Sequence, residues 1–186
     1  MLKELLKKES KSKYDRGMYV KAYKVEKLEK PVKVVTPFPV LKKVQPTALS
    51  NAIGETKQGC IFESSEIYYE VNKSKDVVSE GYYKNSEGRF ILKSATREVI
   101  PSKDFGIARD NIVLKRFFNQ TASELAKIDE GELFVIRYKF KLGNKIVYNI
   151  VYKGKTGYIV EPNIEETDNL AVEDCARLIK DLAMNI

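Results

Sequence analysis

The chain has 186 residues, carries 33 Lys and Arg against 26 Asp and Glu, and contains neither histidine nor tryptophan. Without an imidazole it has no Ser-His or Cys-His nucleophile pair and no HExxH zinc motif. Its two cysteines are too few for a Cys₄ or Cys₂His₂ zinc site. We therefore expect no catalytic residues, no metal site and no cofactor.

Composition and length indicate a globular protein with a sizeable core. Hydrophobic residues make up 43% of the chain and charged residues 32%, as in ordinary folded domains. No apolar run approaches the roughly 18 residues that span a bilayer. The N-terminal stretch MLKELLKKESKSK has acidic residues and lacks the apolar region of a signal peptide. We expect a soluble protein that is made in the cytoplasm and does not bind membranes. If it is a component of a virus particle, its final location is the virion.

The positive charge is concentrated at the N-terminus. Residues 1–43 contain 13 basic and 5 acidic residues, an excess of eight positive charges, whereas residues 44–186 contain 20 basic and 21 acidic residues. Such asymmetry is typical of a basic arm attached to a folded domain. The sequence therefore predicts an extended basic N-terminal arm over residues 1–46 and a single α+β domain over residues 47–186.

The second half of the arm combines prolines with apolar side chains. Pro31, Pro37, Pro39 and Pro46 exclude a helix, because each removes a backbone donor and restricts the preceding residue. A solvated linker would be rich in Gly, Ser or charged residues. We therefore expect this segment to contact other copies of the chain or other subunits of an assembly. The predicted partner-binding residues are Phe38, Val40, Leu41, Lys42 and Lys43.

Apolar periodicity and turn residues predict a short series of elements along the chain. They are a helix over 2–9, a strand over 18–25, and strands over 61–72, 77–84 and 89–93 that form a meander. Residues 110–118 fit either a helix or a strand. Thr121-Ala-Ser-Glu124 matches a capping box, which predicts a helix over 122–130.

A long hairpin is the clearest element in the sequence. Phe134, Ile136, Tyr138 and Phe140 alternate with polar or smaller residues, as in a half-buried strand. A two-residue turn at Gly143-Asn144 would pair Tyr138 with Asn149. A three-residue loop would instead pair Tyr138 with Tyr148, Ile136 with Ile150 and Phe140 with Ile146. Because a slip of one residue exchanges the two faces, we favour the second register, which keeps these apolar residues together in the core.

The C-terminus completes the predicted fold class. Cys175, Leu178, Ile179 and Leu182 recur at helical spacing, which predicts an amphipathic helix over about 168–184. The fold class is α+β: an antiparallel β-sheet, made of a meander and a long hairpin, with a few helices on one face, the C-terminal helix and the basic arm.

A basic strand face gives an alternative function. Arg137, Lys139 and Lys141 alternate along one predicted strand, and a stripe of cations can follow a phosphate backbone. A solvated sheet face has the same pattern. The candidate nucleic-acid-binding residues are Lys21, Lys24, Arg137, Lys139, Lys141, Lys153 and Lys155.

Two further motifs favour structural explanations. Gly154-Lys155-Thr156 resembles the end of a phosphate-binding P-loop, but that motif needs glycine where this chain has Asn149, and a helix where we predict a strand. The acidic residues between Glu161 and Asp174 could bind a divalent cation, yet their spacing fits no calcium loop. Carboxylates near a helix N-terminus are also favoured by the helix dipole.

These observations predict a non-enzymatic structural or assembly protein. The expected setting is a multi-subunit complex, above all a virus or phage particle, in which the arm binds neighbouring subunits. Binding of nucleic acid through the basic arm and strand face is the first alternative, and a small metal-dependent nuclease is the second.

Overall fold

The computed structural model describes residues 22–183. Their contacts divide the chain into two compact units, with the boundary between Glu98 and Val99. This division differs from the predicted boundary between residues 46 and 47. The predicted helix over 2–9, the first part of the strand over 18–25, and Lys21 lie outside the described residues.

The first unit is an antiparallel sheet. Its strands are β1 (Ala22–Thr36), β2 (Leu41–Lys43), β3 (Ala52–Glu55), β4 (Cys60–Val71), β5 (Tyr82–Lys84) and β6 (Phe90–Leu92), followed by a 3₁₀ helix (Lys93–Ala95) and by β7 (Arg97–Ile100). The order across the sheet is β7-β1-β4-β5-β6-β2-β3. The first two residues of β7 pair with β1.

The longest pairing in this unit joins β1 to β4. It runs from Ala22 opposite Val71 to Thr36 opposite Cys60, with an irregularity between Lys27 and Val32 that contains Pro31. One side buries a core of Val34, Phe62, Ile67, Tyr83 and Ile91. Residues 22–36, which we predicted to be part of an extended arm, therefore form an inner strand of the first unit.

The second unit is also an antiparallel sheet. Its strands are β8 (Phe105–Ala108), β9 (Ile112–Lys115), β10 (Glu124–Ile128), β11 (Leu133–Leu142), β12 (Lys145–Tyr152), β13 (Lys155–Val160) and β14 (Ile164–Thr167), and α1 (Val172–Ala183) follows them. The order is β10-β9-β13-β12-β11, and β8 pairs with both β11 and β14. The last two residues of β7 pair with β11.

The structure confirms a fold made mainly of antiparallel sheet with a C-terminal helix. Residues 22–183 contain one α-helix rather than the few that we predicted. The predicted helix over 122–130 is wrong, because residues 124–128 form β10 and pair with β9. The ambiguous segment 110–118 contains the strand β9.

A bulge in β11 divides the long hairpin into two registers. Next to the two-residue turn, Tyr138 lies opposite Asn149, which is the register that we rejected. Beyond Arg137 the register shifts, and Ile136 lies opposite Ile150, as predicted. Because one residue is inserted, Ile136 and Tyr138 lie on opposite faces of the sheet. The four residues that we predicted to share one face are all buried but do not share it, because Phe134 and Ile136 lie on one face, whereas Tyr138 and Phe140 lie on the other.

Both faces of the second sheet are packed. One face carries the core around Phe134, Ile136, Ile150 and Ile159. On the opposite face, Leu178 of α1 packs with Val135 and Val151. The buried inner strands explain why Phe134 and Ile150 are fully inaccessible to solvent.

Candidate functional site

An apolar groove of about 540 Å³ lies in the first unit. One wall is the segment Pro37–Leu41, which runs from the end of β1 to the first residue of β2 and which we call the strap. The strap contains Phe38, Val40 and Leu41, three of the five predicted partner-binding residues, and Lys43 also lines the groove. The other lining residues are Ala48, Tyr82, Leu92, Ser94, Ala95 and Arg97.

Hydrogen bonds fix the strap, and the end of β1 beside it, to the loop before β4. Val40 N donates to Thr56 Oγ1 at 3.0 Å, and Thr56 N donates to Val40 O at 2.8 Å. Gly59 N donates to Thr36 O at 2.8 Å. These bonds hold the backbone, while the side chains of Phe38 and Leu41 stay 55% and 46% exposed. The strap therefore presents apolar side chains from a fixed backbone.

The other side of the groove comes from β5, β6 and the 3₁₀ helix. Tyr82 and Leu92 are direct cross-strand partners, and Ala95 follows within the 3₁₀ helix. Tyr82 is 4% exposed. Burial, with smaller contributions from Glu70 and Glu80, raises the pKa of its phenol, so the hydroxyl stays protonated at neutral pH. This side is mainly apolar, and its hydroxyl-bearing residues are Tyr82 and Ser94.

Two cations give the groove a positive charge. Lys43 Nζ donates to the carbonyl oxygens of Ala48 and Ser50 at 3.2 and 2.9 Å. Arg97 Nη1 donates to the backbone oxygens of Ser94 and Thr96 at 2.8 and 2.6 Å. Within residues 22–183, no acidic residue lines the groove and neither cation forms an ion pair. The groove therefore suits a ligand with apolar groups and negative charge.

Lys42, the fifth predicted partner-binding residue, does not line the groove. Its ammonium group forms an ion pair with Glu87 at 3.0 Å. The two side chains are 23% and 58% exposed, so this is a surface pair of small energetic value. It joins β2 to the turn between β5 and β6.

The predicted basic strand face is interrupted in the structure. Lys139 forms an ion pair with Glu166 at 2.5 Å and lies over the ring of Tyr148. Arg137, in the bulge, and Lys141 are exposed. The bulge and the ion pair thus prevent the three residues from forming a uniform row of free cations.

The remaining candidates for nucleic-acid binding have structural contacts of their own. Lys153 forms an ion pair with Glu132 at 2.6 Å and lies over the ring of Tyr152. Lys155 Nζ donates to Leu125 O at 2.8 Å. Lys24 lies in β1 of the first unit. Lys153 and Lys155 are therefore engaged within the second unit.

Carboxylates of the second unit are engaged by cations and hydroxyl groups. Lys153, Tyr152 and the backbone N–H of Asp129 donate to Glu132 and lower its pKa to about 2. Burial acts to raise the pKa of Glu166, but hydrogen bonds from Lys139, Tyr148 and Lys103 N hold it below the usual range. In the described chain no three Asp, Glu or Cys residues are grouped to hold a metal ion.

The segment that resembles a P-loop is a β-turn. Lys153 and Gly154 have φ angles of 45° and 71° and connect β12 to β13. Lys155 begins a strand rather than a helix, as we predicted. Because a strand follows this turn, the turn does not open a helix whose N-terminal amide groups could bind a phosphate.

Sequence reasoning identified the strap but missed the opposite side of the groove. Tyr82, Leu92, Ala95 and Arg97 are distant in sequence from residues 37–43, and no motif links the two segments. Comparison with protein-family models, curated proteins and solved structures gives no match. No helix within residues 22–183 is both long and apolar enough to cross a membrane.

Proposed function

We propose that this protein is a non-enzymatic component of a multi-subunit assembly, such as a virus or phage particle, and that its groove binds a segment of a neighbouring subunit. The neighbour is another copy of the chain or a different subunit. The observation that carries the proposal is the strap, whose half-exposed apolar side chains border a groove of about 540 Å³. A concave, mostly apolar surface of this volume is typical of a binding site.

The lining indicates the chemistry of the bound segment. Phe38, Leu41 and Tyr82 favour apolar side chains, whereas Lys43 and Arg97 favour a carboxylate. Both backbone polar groups of Val40, in the middle of the strap, already bond to Thr56, so we propose that pockets for side chains provide most of the specificity. We therefore propose an extended segment in which apolar residues flank Asp or Glu.

The neighbouring sheet edge supports binding of an extended chain. β3 is the last strand in the order of the described first unit, and all four of its residues are exposed. An outer strand has a row of backbone N–H and C=O groups that can pair with an added strand. β2, which pairs with β3, supplies Leu41 and Lys43 to the groove.

A library of extended peptides tests this proposal. Fluorescence polarisation should select peptides whose apolar residues flank Asp or Glu, and binding should weaken at least about tenfold in Leu41→Asp, because a buried carboxylate would face the ligand carboxylate. Leu49→Asp is the matched control, since Leu49 is 84% exposed and does not line the groove. Equal peptide binding by Leu41→Asp and wild type, or selection of basic peptides, would contradict the proposal.

The two alternatives predict different results with the same protein. A nucleic-acid-binding protein should bind DNA or RNA with an affinity that falls steeply as salt rises, and Arg137→Ala with Lys141→Ala should reduce that dependence. A metal-dependent nuclease should cleave nucleic acid when Mg²⁺ is added. Peptide binding in the groove should depend much less on salt, because apolar contacts are not screened.

A further inference from the structure

One flank of α1 carries an apolar stripe that the second unit does not cover. Leu178 is in the core with Val135 and Val151, and Leu182 packs against it. On the flank, Val172 is 85% exposed and Ile179 is 61% exposed. Exposed alanines separate them, so the stripe consists of Val172, Ala176, Ile179 and Ala183.

We propose that α1 packs antiparallel against α1 of a second copy of this chain, about a two-fold axis. The residues of the stripe recur at spacings of four, three and four, which is the pattern of a helix–helix seam. A two-fold interface uses the same patch on both copies and therefore needs a self-complementary surface.

The sizes of the side chains are complementary in one antiparallel register. That register places Ala176 of one copy opposite Ile179 of the other and Val172 opposite Ala183. Each layer then contains one branched residue and one alanine, so the backbones can approach closely without overpacking. A parallel in-register pair would instead place Ile179 opposite Ile179 and leave a gap between the alanines.

The charges beside the stripe select the same register. Glu173 and Lys180 border the seam on one side, and both are exposed. In an antiparallel pair, residues at this heptad position face each other across the seam. Glu173 of each copy then lies next to Lys180 of the other, which gives two symmetric ion pairs. Neither residue forms an ion pair within residues 22–183, so both are available.

This contact is independent of the groove, since it uses α1 of the second unit. Three turns of helix bury too little surface for a permanent dimer, so we expect reversible association. In an assembly, the contact would join two copies, while the groove would bind a further subunit.

Sedimentation equilibrium of the full chain over a range of concentrations tests the pairing. Wild type should show a monomer–dimer equilibrium, and Ile179→Asp should be monomeric because it buries a carboxylate in the seam. The matched control is Val78→Asp, whose site in the first unit is 56% exposed. Circular dichroism of each variant checks that the fold is retained.

Charge reversal tests the register itself. Glu173→Lys and Lys180→Glu should each raise the dissociation constant about tenfold, because two attractive pairs become repulsive. The double variant restores both pairs and should return to within about threefold of wild type. A wild type that stays monomeric at millimolar concentration would overturn the proposal. The proposal would also be overturned if Ile179→Asp left the dissociation constant of the dimer unchanged. It would equally be overturned if the double variant dimerised no more tightly than the single variants.

Discussion

The ammonium group of Lys139 lies 2.5 Å from the carboxylate of Glu166, and the two side chains are only 16% and 20% exposed. Tyr148 donates a second hydrogen bond to the same carboxylate oxygen at 2.9 Å. This relationship joins β11, β12 and β14 through one acidic group. A lysine that we predicted to be available to nucleic acid thus neutralises a partly buried charge of its own unit.

Removing this cation should destabilise the second unit. We expect Lys139→Ala to lower the free energy of unfolding by about 1–3 kcal/mol, because Glu166 would keep its charge without its partner. Lys141→Ala, at an exposed position on the same strand, should change it by less than about 0.5 kcal/mol. Urea unfolding of the two variants and of wild type measures both changes in the free energy of unfolding. Equal effects would show that the ion pair contributes nothing specific.

Acid should destabilise the protein through two carboxylates. The pKa of Glu132 is lowered to about 2 and that of Glu166 is also lowered, so the folded state binds fewer protons than the unfolded state, in which glutamate has a pKa of about 4.3. This stability is fully present above about pH 5 and is lost as the pH falls from there toward 2. The urea concentration at the midpoint of unfolding should therefore decrease as the pH is lowered from 6 to 2.

Glu132→Gln should flatten that dependence, since glutamine does not titrate. Glu130→Gln, at an exposed neighbouring position that makes no side-chain ion pair in the described chain, is the control. A pH dependence that is the same in Glu132→Gln and wild type would mean that the acid transition arises from other carboxylates.

The bulge predicts that β11 tolerates deletion of Arg137 but not deletion of Lys139. Removing Arg137 would leave Ile136 opposite Ile150 and Tyr138 opposite Asn149 in one regular ladder, so we expect a folded protein. Removing Lys139 would exchange the faces of residues on one side of the deletion and should prevent folding of the second unit. Circular dichroism and NMR dispersion distinguish the two variants. An unfolded Arg137 deletion would contradict this account of the bulge.

Buried residues on the two sides of the bulge test the core. Ile150 is fully buried, and Ile150→Ala should cost about 2–5 kcal/mol of unfolding free energy. Ile146 is partly exposed near the turn, so Ile146→Ala should lower the unfolding free energy by less than Ile150→Ala does. A similar loss at both positions would refute the assigned burial.

Lys155 should not support nucleotide binding. It starts a strand after a β-turn, and its ammonium group donates to Leu125 O at 2.8 Å. Calorimetric titration with ATP or GTP should show no saturable binding, and Lys155→Ala should change stability by less than about 1 kcal/mol. Saturable binding that disappears in Lys155→Ala would overturn both the non-enzymatic proposal and the role of this turn.

The limits of sequence prediction are clearest in β11 and β10. Alternation predicted the hairpin because every second residue of β11 is apolar, but the same alternation continues through Arg137 and conceals the bulge. Residues 121–124 contain a good capping box, yet residues 124–128 pair with β9. Local capping preferences are worth about 1 kcal/mol, so pairing and burial of Ile128 can override them.

The groove was predictable on one side only. Prolines and apolar residues marked the strap as a contact segment, and the structure places Phe38 and Leu41 beside a groove. The opposite residues Tyr82 and Leu92 read as ordinary strand residues. Their position depends on the pairing of β5 with β4 and β6, which no local pattern specifies.

The pairing of β1 with β4 has a consequence for synthesis. Ala22 pairs with Val71, and Thr36 pairs with Cys60, so β1 is synthesised before the strand with which it pairs. At about 5–20 residues per second, Val34 and Val35 remain uncovered for seconds on the growing chain. Their burial requires closing a long loop, which slows folding. The newly made chain is therefore a candidate substrate for ribosome-associated chaperones, and its yield should depend on the speed of translation between β1 and β4.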